Sequence, residues 1–280
     1  MRTSTMLKFN DPKYDELVEN FIAYTTDPHH NDGQQKVKID LMNKFYYVSS
    51  INAPSNLNIV ISGEITTPDQ KNAAQEIVKP YLEQDLAFTW CTISKNNSAE
   101  EKKFMEAIGL HYHETYLGMI INLDDYQEKI YDSHPEIVFK KVTTQDEVDD
   151  FRKVIENAFD LSLIDLTKYP TLLKLNQQDY ISHLVILYQN GLPAATGHLY
   201  FQNNLAIIDD IATHAYFQGQ GLATKMLNYL LTLAKNSGYH DAGLIATTGG
   251  YPIYKKIGFE PIEIFFNVYI TKENYAPKNS

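Results

Sequence analysis

The chain of 280 residues contains one cysteine, Cys91. No intramolecular disulfide can form, and a lone thiol fits a reducing compartment, so a cytoplasmic location is expected. No stretch approaches the roughly 18 uninterrupted apolar residues of a membrane-spanning helix. The N-terminal MRTSTMLKFNDPKYDELVENF lacks the apolar core of about 7–15 residues and the cleavage site of a signal peptide. Basic charge is scarce: 24 Lys and Arg stand against 35 Asp and Glu, for a net charge of -11. A nucleic-acid binder would show a basic stripe, and none is present, so neither nucleic acid nor membrane is expected as a partner. The acidic balance instead leaves room for a cationic or amine-bearing small substrate. Two common phosphate loops are missing, GxxxxGK[ST] and a GxGxxG with an acid about 20 residues on. No metal is expected either: His29-His30 and His111-x-His113 lack a nearby cysteine or a spaced third ligand.

What remains is an ordinary globular composition, 44% hydrophobic and 21% charged. The length suits one or two domains, each able to bury a core. A seam is expected near YDSHPEIVFKK (131–141), between apparent strands GMIINL and EIVFKKV. It divides the chain into 1–133 and 136–280. In the second part, Val148, Phe151, Val154, Ile155 and Phe159 recur at helical spacing behind a first turn of acids. A short helix is expected within 165–178. HLVILYQ, LPAATGHLYFQ and LAIIDDIAT read as strands joined at Asn190-Gly191, a strong hairpin signal, and at Asn203-Asn204. A helix over 221–238 presents Ala223, Met226, Leu227, Leu230, Leu231 and Ala234 on one face and stops at Gly238. A strand over 239–247, a short helix over 250–258 and a last strand or strand pair over 259–271 follow. The first part reads as mixed α/β, with strands in KFYYVSSI, LNIVISG and AFTWCTIS and helices over 70–82 and 98–109.

Between strand and helix lies FQGQGLAT (217–224). A helix start leaves backbone N–H groups unpaired, and these with the helix dipole attract a phosphate. Close approach needs residues without bulk, which Gly219, Gly221 and Ala223 supply, and Thr224 adds a hydroxyl. Taken alone, the octapeptide is equally a plain turn.

Its Gln218-x-x-Gly221-x-Ala223 spacing resembles the [QR]-x-x-G-x-[GA] acyl-CoA pyrophosphate loop of the GNAT (GCN5-related N-acetyltransferase) superfamily. YPIYKKIGF (251–259) resembles that family's L-Y-x-x-L-G-F, and the two motifs stand in the family's order. The resemblance covers residues 137–271. It implies a mixed, mostly antiparallel central sheet flanked by helices, and an acetyl-CoA-dependent N-acetyltransferase acting on a primary amine of a small molecule or peptide. It assigns Gln218, Gly219, Gln220, Gly221, Leu222, Ala223 and Thr224 to the cofactor's pyrophosphate, and the backbone of Ile211, Ala212 and Thr213 to pantetheine. Tyr254 would protonate the departing thiolate, a transfer suited to a phenol. Three positions depart from the family. Thr247 replaces a cofactor-contacting asparagine, Gly250 an alanine, and Ala242 the glutamate base of ribosomal-protein acetyltransferases. The base is left open among Asp209, Asp210 and water, with His214 an alternative. Alternation along a strand expects at most one of the two aspartates to face the substrate. Substrate contacts are expected from 160–180, including Tyr169.

FMEAIGLHYHETYLGMII (104–121) has the same shape as YKKIGFEPIEIFFNVYI, with Met105 opposite Tyr254. The first part lacks the glycine motif and the tyrosine together. It resembles a degenerate GNAT-like domain, with an unrelated α/β domain as the alternative; under either reading it is expected not to bind acyl-CoA, and the chain forms two tandem domains in a monomer or homodimer. A non-catalytic acyl-CoA-binding sensor on the same fold is the alternative.

Overall fold

The structure is a computed structural model, and it describes residues 7–26, 36–49, 58–127, 136–158 and 181–271. The chain forms two compact units, one of Met1–Gly118 with Ile262–Ser280, the other of Met119–Pro261.

The first unit opens with helix α1 (Pro12–Thr25), started by Asp11, whose side chain accepts from the amides of Lys13 and Tyr14. An acidic cap followed by proline at the first helical position is a helix start legible in the sequence, yet α1 was not anticipated. Nor was strand β1 (Lys36–Asp40), which forms a hairpin with β2 (Phe45–Ser49). Strand β3 (Ile59–Gly63) crosses through α2 (Pro68–Glu83) to β4 (Thr89–Ser94), which lies parallel to it. The capping box of Thr67 and Gln70 starts α2. Helix α3 (Ala99–Ala107) leads into β5 (His111–Asn122), a longer strand than GMIINL suggests. The chain's last strand, β11 (Glu260–Ile270), runs antiparallel along β4 from Phe265 opposite Ser94 to Ile270 opposite Thr89. The strand order here is β1-β2-β3-β4-β11-β5. Trp90, Phe45, Met105, Leu110 and Tyr269 are sealed in its core.

The second unit takes in the end of β5, then β6 (Ile137–Lys141) and helix α4 (Gln145–Ala158). Strands β7 (Ile181–Gln189), β8 (Leu192–Gln202) and β9 (Leu205–Thr213) form an antiparallel meander. The β7–β8 turn has both Asn190 and Gly191 at positive φ, as a tight hairpin needs. After a single 3-10 turn (Ala215–Phe217) come α5 (Leu222–Asn236), β10 (Asp241–Ala246) and α6 (Tyr251–Ile257). The order is β5-β10-β9-β8-β7-β6, with β9 and β10 parallel. Two cores cover the two faces. Val148, Phe151, Val154 and Ile155 of α4 pack on Leu184, Ile186 and Ala212. Met226, Leu227, Leu230, Leu231 and Ala234 of α5 pack on Val185, Leu187, Leu199 and Ile208. The mixed, mostly antiparallel α/β fold is as expected. The helix expected within 165–178, Phe159, Tyr169 and His29-His30 lie outside the described residues.

The compact units part at Gly118/Met119 and Pro261/Ile262, not in a single seam near 131–141. The reason is the pairing of β11: its hydrogen bonds run to β4, so the last strand belongs to the first unit although it follows the helices of the second. The likeness of 104–121 to the C-terminal segment has a structural counterpart. The amide of Leu110 bonds to the carbonyl of Met105 at 3.0 Å, and that of Phe259 to Tyr254 at 3.1 Å. Gly109 and Gly258, one residue earlier in each, stand at φ 93 and φ 121. Both helices α3 and α6 end in the same left-handed glycine turn.

Candidate active site

Within the second unit β9 and β10 begin as neighbours and then diverge. Their parallel pairing covers only Leu205–Ile207 against Asp241–Gly243, while β9 runs on to Thr213. The edge of β9 beyond Ile207 is therefore open toward β10. In the first unit the corresponding parallel pair stays closed over the whole of β3, Ile59–Gly63. A slot between parallel strands exists in the unit with the glycine loop, and among the described residues of the other unit β3 and β4 leave none.

At the end of β9, Gln218 donates to the carbonyl of Thr213 at 3.2 Å and folds the loop back. Gly219 and Gly221 stand at φ 77 and 75, and a Cβ on either would meet nothing within 4 Å. These glycines are demanded by backbone conformation, not by crowding within the chain. Gly221 is the N-cap of α5 and supplies no side-chain hydrogen bond. The amides of Leu222, Ala223 and Thr224 thus open the helix without a side-chain cap, the arrangement that binds a phosphate. Gln220 accepts from Gln189 at 3.0 Å. Leu222 reaches a ligand only through its amide, because its side chain is in the core. The hydroxyl of Thr213 is buried without a hydrogen-bond partner. The open edge, the uncapped helix and this orphaned hydroxyl together fit a CoA thioester.

Tyr254 lies one turn into α6, 9% exposed. Burial, and secondarily the Asp209 carboxylate, push its phenol above the usual value, so it stays protonated. Thr247, exposed, accepts from the amide of Gly250 at 3.1 Å and shapes the turn before α6. Ala242 is fully buried.

The expected alternation of Asp209 and Asp210 does not hold. The β8–β9 register shifts between Thr196 and His198, and Asp210 sits at φ 52. The extra residue of this bulge breaks the period of two. Asp209 pairs with His198, and Asp210 Oδ2 lies 3.7 Å from His198 Nδ1, so both carboxylates share the face of His198. Gly197 lies at the shift because a Cβ there would press on Leu230, Met226 and Ile211 at 2.7 to 2.9 Å. The alternative base His214 uses Nδ1 to accept from the Tyr216 amide at 3.2 Å. His111 and His113 join no metal-ligand group among the described residues, and no described helix is long and apolar enough to cross a membrane. Sequence reasoning missed His198 and Ser182, whose Oγ and Nε2 lie 2.6 Å apart. Neither carries a local signal: each reads as an ordinary strand position.

Residues 146–259 match the model of the acetyltransferase (GNAT) family. Among solved structures, a GCN5-related N-acetyltransferase from Kribbella flavida superposes with TM-score 0.64 at 13% identity, over 91% of this chain and 95% of that one. Another from Sphaerobacter thermophilus gives 0.61 at 12%, over 92% and 85%. A tandem GNAT protein from the clavulanic acid biosynthesis pathway gives 0.55 at 11%, over 81% and 78%. Residues 146–259 are a domain of the GNAT acetyltransferase family, and the chain around them has the fold of GCN5-related proteins.

Proposed function

We propose that the protein is an acyl-CoA-dependent N-acyltransferase, most simply an acetyltransferase, acting on a primary amine of a small or cationic acceptor. The observation that carries this reading is the presence in one unit of three features: the open edge of β9, the uncapped glycine start of α5, and the buried Tyr254 one turn into α6. The N-terminal GNAT-like unit, with Met105 at the tyrosine position and β3–β4 closed, takes no part in acyl-CoA binding.

The chemistry follows from the groups present. Bound acetyl-CoA supplies an activated acyl carbon. The acceptor's neutral amine attacks that carbon, forming a C–N bond as the C–S bond breaks. Asp210, Asp209 or a water held by them takes the amine proton. The Tyr254 hydroxyl gives its proton to the departing sulfur. Holding amine and thioester together is worth up to ~7–11 kcal/mol in well-oriented cases. With a net charge of -11, the chain favours a cationic acceptor by long-range attraction.

The test is CoA release with a panel of amines, polyamines and amino acids, for the protein and Tyr254→Phe. Turnover that falls in the variant with acetyl-CoA affinity kept supports the assignment. Tight CoA binding without turnover of any amine means a sensor, and equal turnover in the variant removes Tyr254 as the acid. Gly221→Val places a side chain over the α5 amides, so unchanged CoA affinity would refute the phosphate site.

A further inference from the structure

Ser182, His198 and Asp210 form a buried line across three adjacent strands, β7, β8 and β9. His198 is fully buried and Ser182 is 5% exposed. Ser182 Oγ is 2.6 Å from His198 Nε2, and His198 Nδ1 is 3.7 Å from Asp210 Oδ2, whose side chain is 11% exposed. The Tyr200 ring lies 5.1 Å from the imidazole, and Asp209 is its register partner on the same face. Asp210 is further held through its backbone. Its carbonyl accepts from Thr196 Oγ1 at 3.0 Å, and its amide donates to Asp209 Oδ1 at 2.8 Å.

A neutral imidazole has one N–H, and the group beside the other nitrogen decides where it sits. Turning the Nδ1 lone pair toward a carboxylate is repulsive, and turning Nδ1–H toward it is attractive. Ser182 can serve as donor to Nε2 only if Nδ1 carries the proton. The carboxylate therefore favours the tautomer that points N–H at Asp210, and the Ser182 hydroxyl, able to donate or accept, completes it by donating to Nε2.

We propose that His198, held in its Nδ1–H tautomer between the Asp210 carboxylate and the Ser182 hydroxyl, is a positioning residue for Asp210, and that Asp210 is the carboxylate that takes the acceptor's proton. His198 attracts Oδ2 and so orients the other oxygen, Oδ1, away from the buried line. In the transfer the amine proton passes to Oδ1, while His198 keeps its own proton throughout. The separation of 3.7 Å is long for a hydrogen bond, as is common before a substrate is bound. This inference rests on the acyltransferase reading for the role of Asp210, but the state of the His198 ring does not depend on it.

Two measurements test it. Nitrogen-15 NMR of the histidine-labelled protein should show His198 protonated at Nδ1, and Asp210→Asn, which removes the carboxylate, should shift the ring toward a mixture of tautomers. For the amine of the panel with the fastest turnover, His198→Leu should lower kcat about tenfold with the acetyl-CoA KM unchanged, as expected when the group that orients a reacting carboxylate is removed. His198→Asn places an amide N–H near the Nδ1 position and should recover most of that loss. Acetyl-CoA affinity, carried by the α5 amides, reports that each variant is folded; if His198→Leu fails this check, Ser182→Ala takes its place and should lower kcat in the same way. A ring protonated at Nε2 would overturn the proposal, as would equal kcat for the Leu and Asn variants. If no amine is acetylated, the acyltransferase reading fails and the Asp210 role with it, while the ring tautomer still decides whether Nδ1–H faces Asp210.

Discussion

The ring of Tyr254 fills the space in which residue 250 would carry a side chain. A Cβ on Gly250 would lie 2.6 Å from Cε2 of Tyr254 and 3.0 Å from its hydroxyl. The same two residues are joined through their backbones, Tyr254 N to Gly250 O at 3.2 Å. The departure from alanine at 250 is thus tied to where the tyrosine ring lies.

Gly250→Ala should therefore act on Tyr254. The added methyl must push the ring aside, since Gly250 caps α6 and its carbonyl is bonded to the Tyr254 amide. The expected result is a fall in kcat of about tenfold or more with little change in acetyl-CoA affinity, since small displacements of a reacting group are costly. Steady-state CoA release checks it, and adding Tyr254→Phe on top should cost little more. Fully additive losses would separate the two residues.

Gly197→Ala should destabilise the second unit. Its Cβ would meet Leu230, Met226 and Ile211 below 3 Å, and all three belong to packing between α5 and the sheet. Overpacking of this kind costs about 1–3 kcal/mol. Urea unfolding measures it, and a midpoint equal to that of the unsubstituted protein would show that α5 yields freely.

Glu147 should contribute acid-sensitive stability. Burial opposes its ionisation, but the Lys140 ammonium at 2.6 Å and donors from Thr143 and Thr144 outweigh burial and hold the carboxyl at about 2. The Glu147 amide in turn donates to Thr144 Oγ1 at 3.3 Å, closing a capping box at the start of α4. The folded value lies below the unfolded one of about 4.3. The contribution is therefore complete above about 4.3 and is lost as pH falls through about 2. Glu147→Gln should cost about 1 kcal/mol at neutral pH and flatten the loss of stability in that window. Parallel stability curves for the two proteins would contradict this.

Glu101 should behave in the opposite sense. It is 3% exposed, and burial raises its carboxyl against the lowering effect of hydrogen bonds from Thr92, Tyr269 and the Ile65 amide. The folded protein then holds this proton more tightly than the unfolded chain does. Stability from this group is full below the unfolded value of about 4.3 and declines as pH rises through the raised folded value. Glu101→Gln, uncharged at every pH, should show a smaller decline over that range. Denaturant titrations at a series of pH values check it, and an unchanged pH slope would rule it out.

The motifs Gln218-x-x-Gly221-x-Ala223 and Tyr254-x-x-Ile257-Gly258-Phe259 were legible because they are local. A positive φ that calls for glycine, a helix start without a side-chain cap and a glycine helix stop each concern a few consecutive residues. The hairpin at Asn190-Gly191 and the buried stripes of α4 and α5 were legible for the same reason. Tertiary structure alone decided three things. The bulge at Asp210 depends on the register of β8 against β9, with Gly197 under α5, so two adjacent aspartates face one way although strand periodicity separates them. The line from Ser182 through His198 to Asp210 joins residues up to 28 positions apart, and only cross-strand pairing brings them together. The membership of β11 in the first unit is set by its hydrogen bonds to β4, which no pattern within 260–270 specifies. Sequence determines what each segment can form by itself, and long-range pairing determines which side chains then meet.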